Sequence, residues 1–221
     1  VAKVPVAKGD RDTTTSTYTS SRGSESLDIT SVIKVSQAIL GEINLDKLLR
    51  TLMKIVIENA SARRGILILE KEGRLYVEAE GNADNGEPEV LQSVPVEANN
   101  TLPLSIVNYV ARTRENVVLD DATAEGMFTK DKYVIESGQK SILCMPVIHQ
   151  GALTGLLYLE NNLATKAFTP KRLELLKILS SQLAISIENA KLYKDLKVSH
   201  EQLEDYSRTL ERRVAERTAA L

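Results

Sequence analysis

Apolar residues fall at helical spacing from residue 27 to residue 60. Ile29, Val32, Ile33, Ile39 and Leu40 make one stripe. Gly41 interrupts it, and the pattern restarts at Asn44 or Asp46 with Leu48, Leu49, Leu52, Ile55 and Val56. Two helices are expected here, the second packed on a sheet. The spacing then shortens. Gly65-Ile66-Leu67-Ile68-Leu69-Glu70 reads as a short buried strand, Lys71-Glu72-Gly73 as a turn, and Arg74–Ala79 as an alternating partner strand. A weaker strand is predicted from about Val90 to Val96, a helix from Pro103 to Arg114, and a strand at Val117-Val118-Leu119. Residues 121–140 are polar and loop-like, with Phe128, Tyr133 and Ile135 as anchors. Ser141–Ile148 and Leu153–Leu159 form a hairpin around His149-Gln150-Gly151-Ala152. Thr169-Pro170 starts a helix with no break before Ala220.

Sequential hairpins imply antiparallel pairing, so the fold class is α+β. Residues 1–26 carry Ser, Thr, Lys and Gly with no apolar period and read as a flexible linker. The chain starts at Val1 and stops at Leu221 within a charged helical pattern, which suggests a piece of something longer. Net charge is −2, so no basic excess draws the chain to nucleic acid or acidic lipid. The single cysteine, Cys144, excludes an internal disulfide and suits a reducing, cytoplasmic setting. No apolar run approaches the ~20 residues that span a bilayer, so no membrane insertion is expected.

Ser-Ile-Leu-Cys-Met-Pro-Val-Ile at 141–148, Gly151, and Leu-Thr-Gly-Leu-Leu-Tyr-Leu-Glu-Asn at 153–161 resemble the closing hairpin of GAF domains. Phe168-Thr169-Pro170 with Leu175, Leu179 and Ala184 looks like that family's exit helix. Leu45-Asp46-Lys47-Leu48-Leu49 and Gly65–Leu69 match its entry. The resemblance implies a central antiparallel sheet of about six strands with flanking helices. It divides the chain into a linker (1–26), an N-terminal helix (27–43), a GAF domain (44–190) and a coiled-coil signalling helix (191–221). Leu27–Leu69 and the tail from Leu203 further resemble segments of cyanobacterial-type multidomain kinases carrying Ser/Thr-kinase and histidine-kinase modules. A non-catalytic sensory module is implied, with a downstream kinase domain in the same chain. Any ligand pocket would lie between the sheet and residues 103–138, with Asn108, Asp120, Phe128, Tyr133 and Ser141 as candidate liners.

Cyclic-nucleotide-binding relatives carry Asn-Lys, a spacer, Phe and then an acidic pair. Asn162, Lys166 and Phe168 match in part, but Arg172-Leu173 stands where the acids belong, so a plain strand-to-helix connection is preferred to a nucleotide receptor. A covalent bilin needs a cysteine before the hairpin, and 121–140 has neither Cys nor His. Haem or metal needs clustered ligands, whereas His149 and His200 lie far apart with no cysteine pair. No cofactor is therefore expected. Ser199-His200-Glu201 resembles the core of a phosphoacceptor box, but Gln202-Leu203 replaces its continuation. No Gly-rich phosphate loop is present either, so the chain is not expected to be an enzyme. Leu196, Leu203 and Leu210 recur every seven residues, and Val214 and Leu221 share a second register. A parallel coiled-coil homodimer follows, assisted by the N-terminal helices and weakened by His200 and Ser207 near the seam.

Overall fold

The computed structural model describes residues 44–84, 86–124 and 126–219. The expected linker, the helix over 27–43 and Leu221 lie outside the described residues. The first described helix, α1 (Leu45–Ala60), begins where Asn44 Oδ1 accepts from the Lys47 amide at 3.1 Å, so Asn44 rather than Asp46 is the cap. Ser61, left-handed at φ 54°, ends it.

Six strands follow: β1 (Arg64–Lys71), β2 (Arg74–Asn82), β3 (Glu89–Pro95), β4 (Val117–Leu119), β5 (Ser141–His149) and β6 (Ala152–Asn161). They form one sheet in the order β3-β2-β1-β6-β5-β4, with every pair antiparallel. The β5–β6 turn is tighter than the four residues expected. The ladder includes His149↔Ala152, leaving Gln150 and Gly151 at φ 48° and 80°. Two consecutive positive φ values match the twist of a two-residue hairpin, and the glycine relieves the second.

The period-2 alternation of β1 explains its unbroken apolar run. Ile66 and Ile68 point to one layer, with Ile142, Cys144, Leu156 and Tyr158. Leu67 and Leu69 point to the other, with Leu143, Met145, Leu157 and Leu159. The second layer is closed by α1 and by the first turns of α4 (Pro170–Ala219), through Leu48, Leu52, Leu176, Leu179, Leu183 and Ile187. The first is closed by α2 (Leu104–Thr113), α3 (Lys132–Ser137) and the segments beside them. Both faces are thus dry, which is why β1 does not read as amphipathic.

The helix α3 corrects the loop expected over 121–140. Asp131 caps it, accepting from the Tyr133 amide at 2.9 Å, and Gly138 ends it at φ 63°. Six residues are too few to display a helical apolar period.

Candidate ligand face and signalling helix

The face of the sheet under α2 and α3 carries a polar cluster at its lower edge. Strand parity puts Tyr158 and Glu160 on the same side as Ile66, and Arg64 on β1 lies opposite Glu160. The Glu160 side chain is 3% exposed. It accepts from Tyr158 Oη at 2.7 Å, from Tyr133 Oη at 2.9 Å to each oxygen, and from Arg64 Nη1 at 3.2 Å. Arg64 also donates to Glu80 at 2.7 Å, to the Thr101 carbonyl at 2.8 Å and to Thr101 Oγ1 at 2.6 Å. One guanidinium therefore ties together β1, β2, β6, α3 and the segment before α2.

The electrostatics follow from burial. Burial works against the Arg64 charge, but Glu80 and Glu160 outweigh it and raise its pKa. Burial pushes the Tyr133 phenol upward, and the Glu160 carboxylate pushes it further. Tyr158 moves the same way, with burial first and Glu160 second. Both tyrosines are thereby held as protonated donors.

The five candidate liners are spread over different surroundings. Asn108 lies exposed on α2. Phe128 is buried in the apolar layer, edge-on to Tyr109 with ring centroids 5.6 Å apart. Tyr133 belongs to the Glu160 cluster. Asp120 and Ser141 meet each other: the Ser141 hydroxyl donates to the Asp120 carbonyl at 3.2 Å and lies 2.9 Å from that of Ala164, while it accepts from the Ala167 amide at 3.1 Å. Ser141 thus fastens the β6–α4 connection. Asn161 Oδ1 accepts from the Leu163 and Ala164 amides, and Arg172 Nη1 donates to the Ala167 carbonyl at 2.6 Å. Asn161, Ser141 and Arg172 thus hold the turn into α4. Lys166 contributes its backbone amide, 2.8 Å from the Asp120 carbonyl, and Phe168 is buried.

Arg64, Glu80, Thr101 and Glu160 were not anticipated from the sequence. One signal was available: Glu160 ends an apolar run on the parity that faces inward, where a carboxylate must find partners. The thiol of Cys144 is wholly buried, and burial pushes its pKa up, so the reactive thiolate is disfavoured. Among the described residues no three His, Cys, Asp or Glu gather as metal ligands. No helix among them is long and apolar enough to cross a membrane.

Helix α4 has two halves. Through Ala190 it buries Leu175, Leu176, Leu179, Leu183, Ala184 and Ile187 against α1 and β5. Beyond residue 191 all but Thr209 of the residues to 218 are exposed. Leu196 is 65% exposed, Leu203 66%, Leu210 42% and Val214 64%. Fifty residues at ~1.5 Å per residue extend about 75 Å, so this half runs clear of the body.

The sequence pattern of the GAF domain matches residues 44–187. The chain belongs to the GAF domain family. Curated relatives of this GAF domain include hybrid signal transduction histidine kinase G of Dictyostelium discoideum, 27% identical over 85% of this chain and 8% of that protein. Another is the peroxide stress-activated histidine kinase mak2 of Schizosaccharomyces pombe, 30% identical over 78% of this chain and 8% of that one. The chain therefore spans less than a tenth of these relatives. Among solved structures, the GAF domain of an Acinetobacter phosphoenolpyruvate-protein phosphotransferase superimposes with TM-score 0.56 at 19% identity, covering 76% of this chain and 97% of that one. The phycoerythrobilin-bound GAF domain of a cyanobacterial phytochrome gives 0.58 at 21%, covering 77% and all of that chain. The GAF fold is thus shared, in an α+β arrangement extended here by a long C-terminal helix.

Proposed function

We propose that this GAF domain is the input and relay module of a signalling histidine kinase, working as a homodimer whose α4 helices pair in parallel and pass a change in the domain to a kinase region further along the same chain. The observation that carries this reading is the projecting half of α4, with Leu196, Leu203 and Leu210 exposed every seven residues and Val214, four residues on, exposed in the second register. Histidine kinases among the relatives support the parent assignment. The fuller reading is a cytoplasmic, cyanobacterial-type kinase that also carries a Ser/Thr-kinase module. The domain itself performs no chemistry in this scheme.

The energetics suit a switch. Fully burying four such side chains per helix would contribute roughly 1.5–3 kcal/mol each, hence about 12–24 kcal/mol gross for a pair. Association costs about 4–15 kcal/mol in lost freedom, and His200 and Ser207 interrupt the seam. These interruptions and the exposed edge of a two-helix seam bring the gain down toward the cost, and a marginal coil shifts register at little input energy. If the parent answers to peroxide as mak2 does, the buried Cys144 is not the group that senses it.

The test uses the 221-residue chain. Leu203→Asp with Leu210→Asp converts the dimer to monomer by light scattering while the near-ultraviolet dichroism of the domain is kept, because charges in an apolar seam are costly. In a Cys144→Ala background, Leu203→Cys crosslinks the two chains under mild oxidation. An undiminished dimer in the first variant together with no crosslink in the second would refute the parallel coil.

A further inference from the structure

A small depression of about 180 Å³ opens where β1 begins and where β2 and β6 end. Every residue lining it is polar, including Arg63, Arg64, Asp84, Gln139 and Glu160. Such a lining offers nothing to an apolar guest. Its two guanidiniums are matched by two carboxylates, so neither a net anion nor a net cation is favoured.

The four charges differ in availability. Arg64 and Glu160 are engaged with each other and with Tyr133, Tyr158 and Thr101. They contribute a field, not free bonds. Arg63 and Asp84 pair only at the rim, with side chains 32% and 60% exposed. A pair that wet is weak and easily opened, leaving one cation and one anion side by side. Another lining residue supplies an independent sign. Gln139 is more than nine-tenths buried, yet its Oε1 has no hydrogen-bond partner among the described residues. Two residues earlier, the buried Ser137 Oγ also lacks one. Buried polar atoms in native folds are nearly always satisfied, so an unpartnered carbonyl on a residue that lines a polar depression calls for a donor.

We propose that this depression binds a small zwitterion of amino-acid size, its carboxylate taken by Arg63 and its ammonium by Asp84 and the Gln139 carbonyl. A neutral molecule with separated charges matches the balanced lining, and the ammonium supplies the donor that Gln139 lacks. The inference does not rest on the coiled-coil relay, and a chain whose α4 pairing is broken keeps the site.

The free L-amino acids, added singly at millimolar concentration to the 221-residue chain, provide the test. At least one is expected to raise the melting temperature and to give saturation-transfer NMR signals. Propionate and propylamine, each carrying one of the two charges, give neither. Gln139→Leu removes the unpartnered amide oxygen at similar side-chain size, and Arg63→Gln alters only the rim. Each weakens binding about tenfold or more, while Leu203→Asp with Leu210→Asp does not. If Gln139→Leu fails to fold, Arg63→Gln alone decides. The proposal falls if no amino acid binds, if propionate or propylamine binds equally well, or if binding survives in Arg63→Gln.

Discussion

Replacing Glu160 by Gln keeps the shape of the side chain and removes its charge. At 3% exposure the carboxylate has almost no water to fall back on. It receives Arg64 at 3.2 Å, Tyr158 at 2.7 Å and Tyr133 at 2.9 Å. One carbonyl oxygen survives in the variant, so about two charge-assisted bonds are lost, each contributing ~1.5–3 kcal/mol. Arg64 is also left with one buried counter-charge fewer. Breaking one side of a buried ion pair costs about 3–5 kcal/mol, and the retained oxygen places the expected loss near ~3–4 kcal/mol. For a domain of this size that lowers Tm by roughly 10 °C. Glu80→Gln is the control. Its side chain is 33% exposed, so its pairing with Arg64 is screened and its loss costs about 1 kcal/mol or less. Urea unfolding followed by far-ultraviolet dichroism measures both. A loss below ~1 kcal/mol for Glu160→Gln, or equal losses for the two variants, would show that the cluster is effectively solvated and that the desolvation argument is wrong.

High pH gives a second expectation. The Tyr133 and Tyr158 phenols have folded pKa values above the ordinary value of about 10. Their contribution to stability is intact below that value and is lost as pH rises through it toward the folded values, because only the unfolded chain releases those protons. Absorbance at long ultraviolet wavelength should show tyrosine ionisation that coincides with unfolding. Cys144 should resist thiol reagents in the native state and react at the rate of global opening; rapid labelling at neutral pH would contradict its burial. Gly155→Ala should cost more than ~4 kcal/mol or prevent folding, since a Cβ there would stand 2.2 Å from the Ile68 backbone oxygen, which cannot retreat without breaking the ladder. A thermal melt of that variant close to wild type would mean that the sheet relaxes more readily than its pairing implies.

Local signals made the elements legible. Alternation in Arg74–Ala79, the run at Gly65–Leu69 and Pro170 at a helix start report on residues that are neighbours in the chain. The tail was legible for a related reason: with no body to pack against, its heptads stand out unmasked. The short helix at Lys132–Ser137 stayed hidden because its cap and its closing glycine hold it without a repeating apolar face.

The sequence by itself determined the α+β order, the GAF hairpin and the projecting helix, since each follows from periodicity and turn chemistry within a short window. Only the tertiary structure decided where the polar groups meet. Arg64, Glu80, Thr101, Tyr133 and Glu160 come from elements up to 96 positions apart in the chain, joined by the β1–β6 pairing and the seating of α3. Charged and hydroxyl side chains carry no periodic mark of their partners. Their energies are set by burial and by distance across the fold, which the order of residues along the chain does not state.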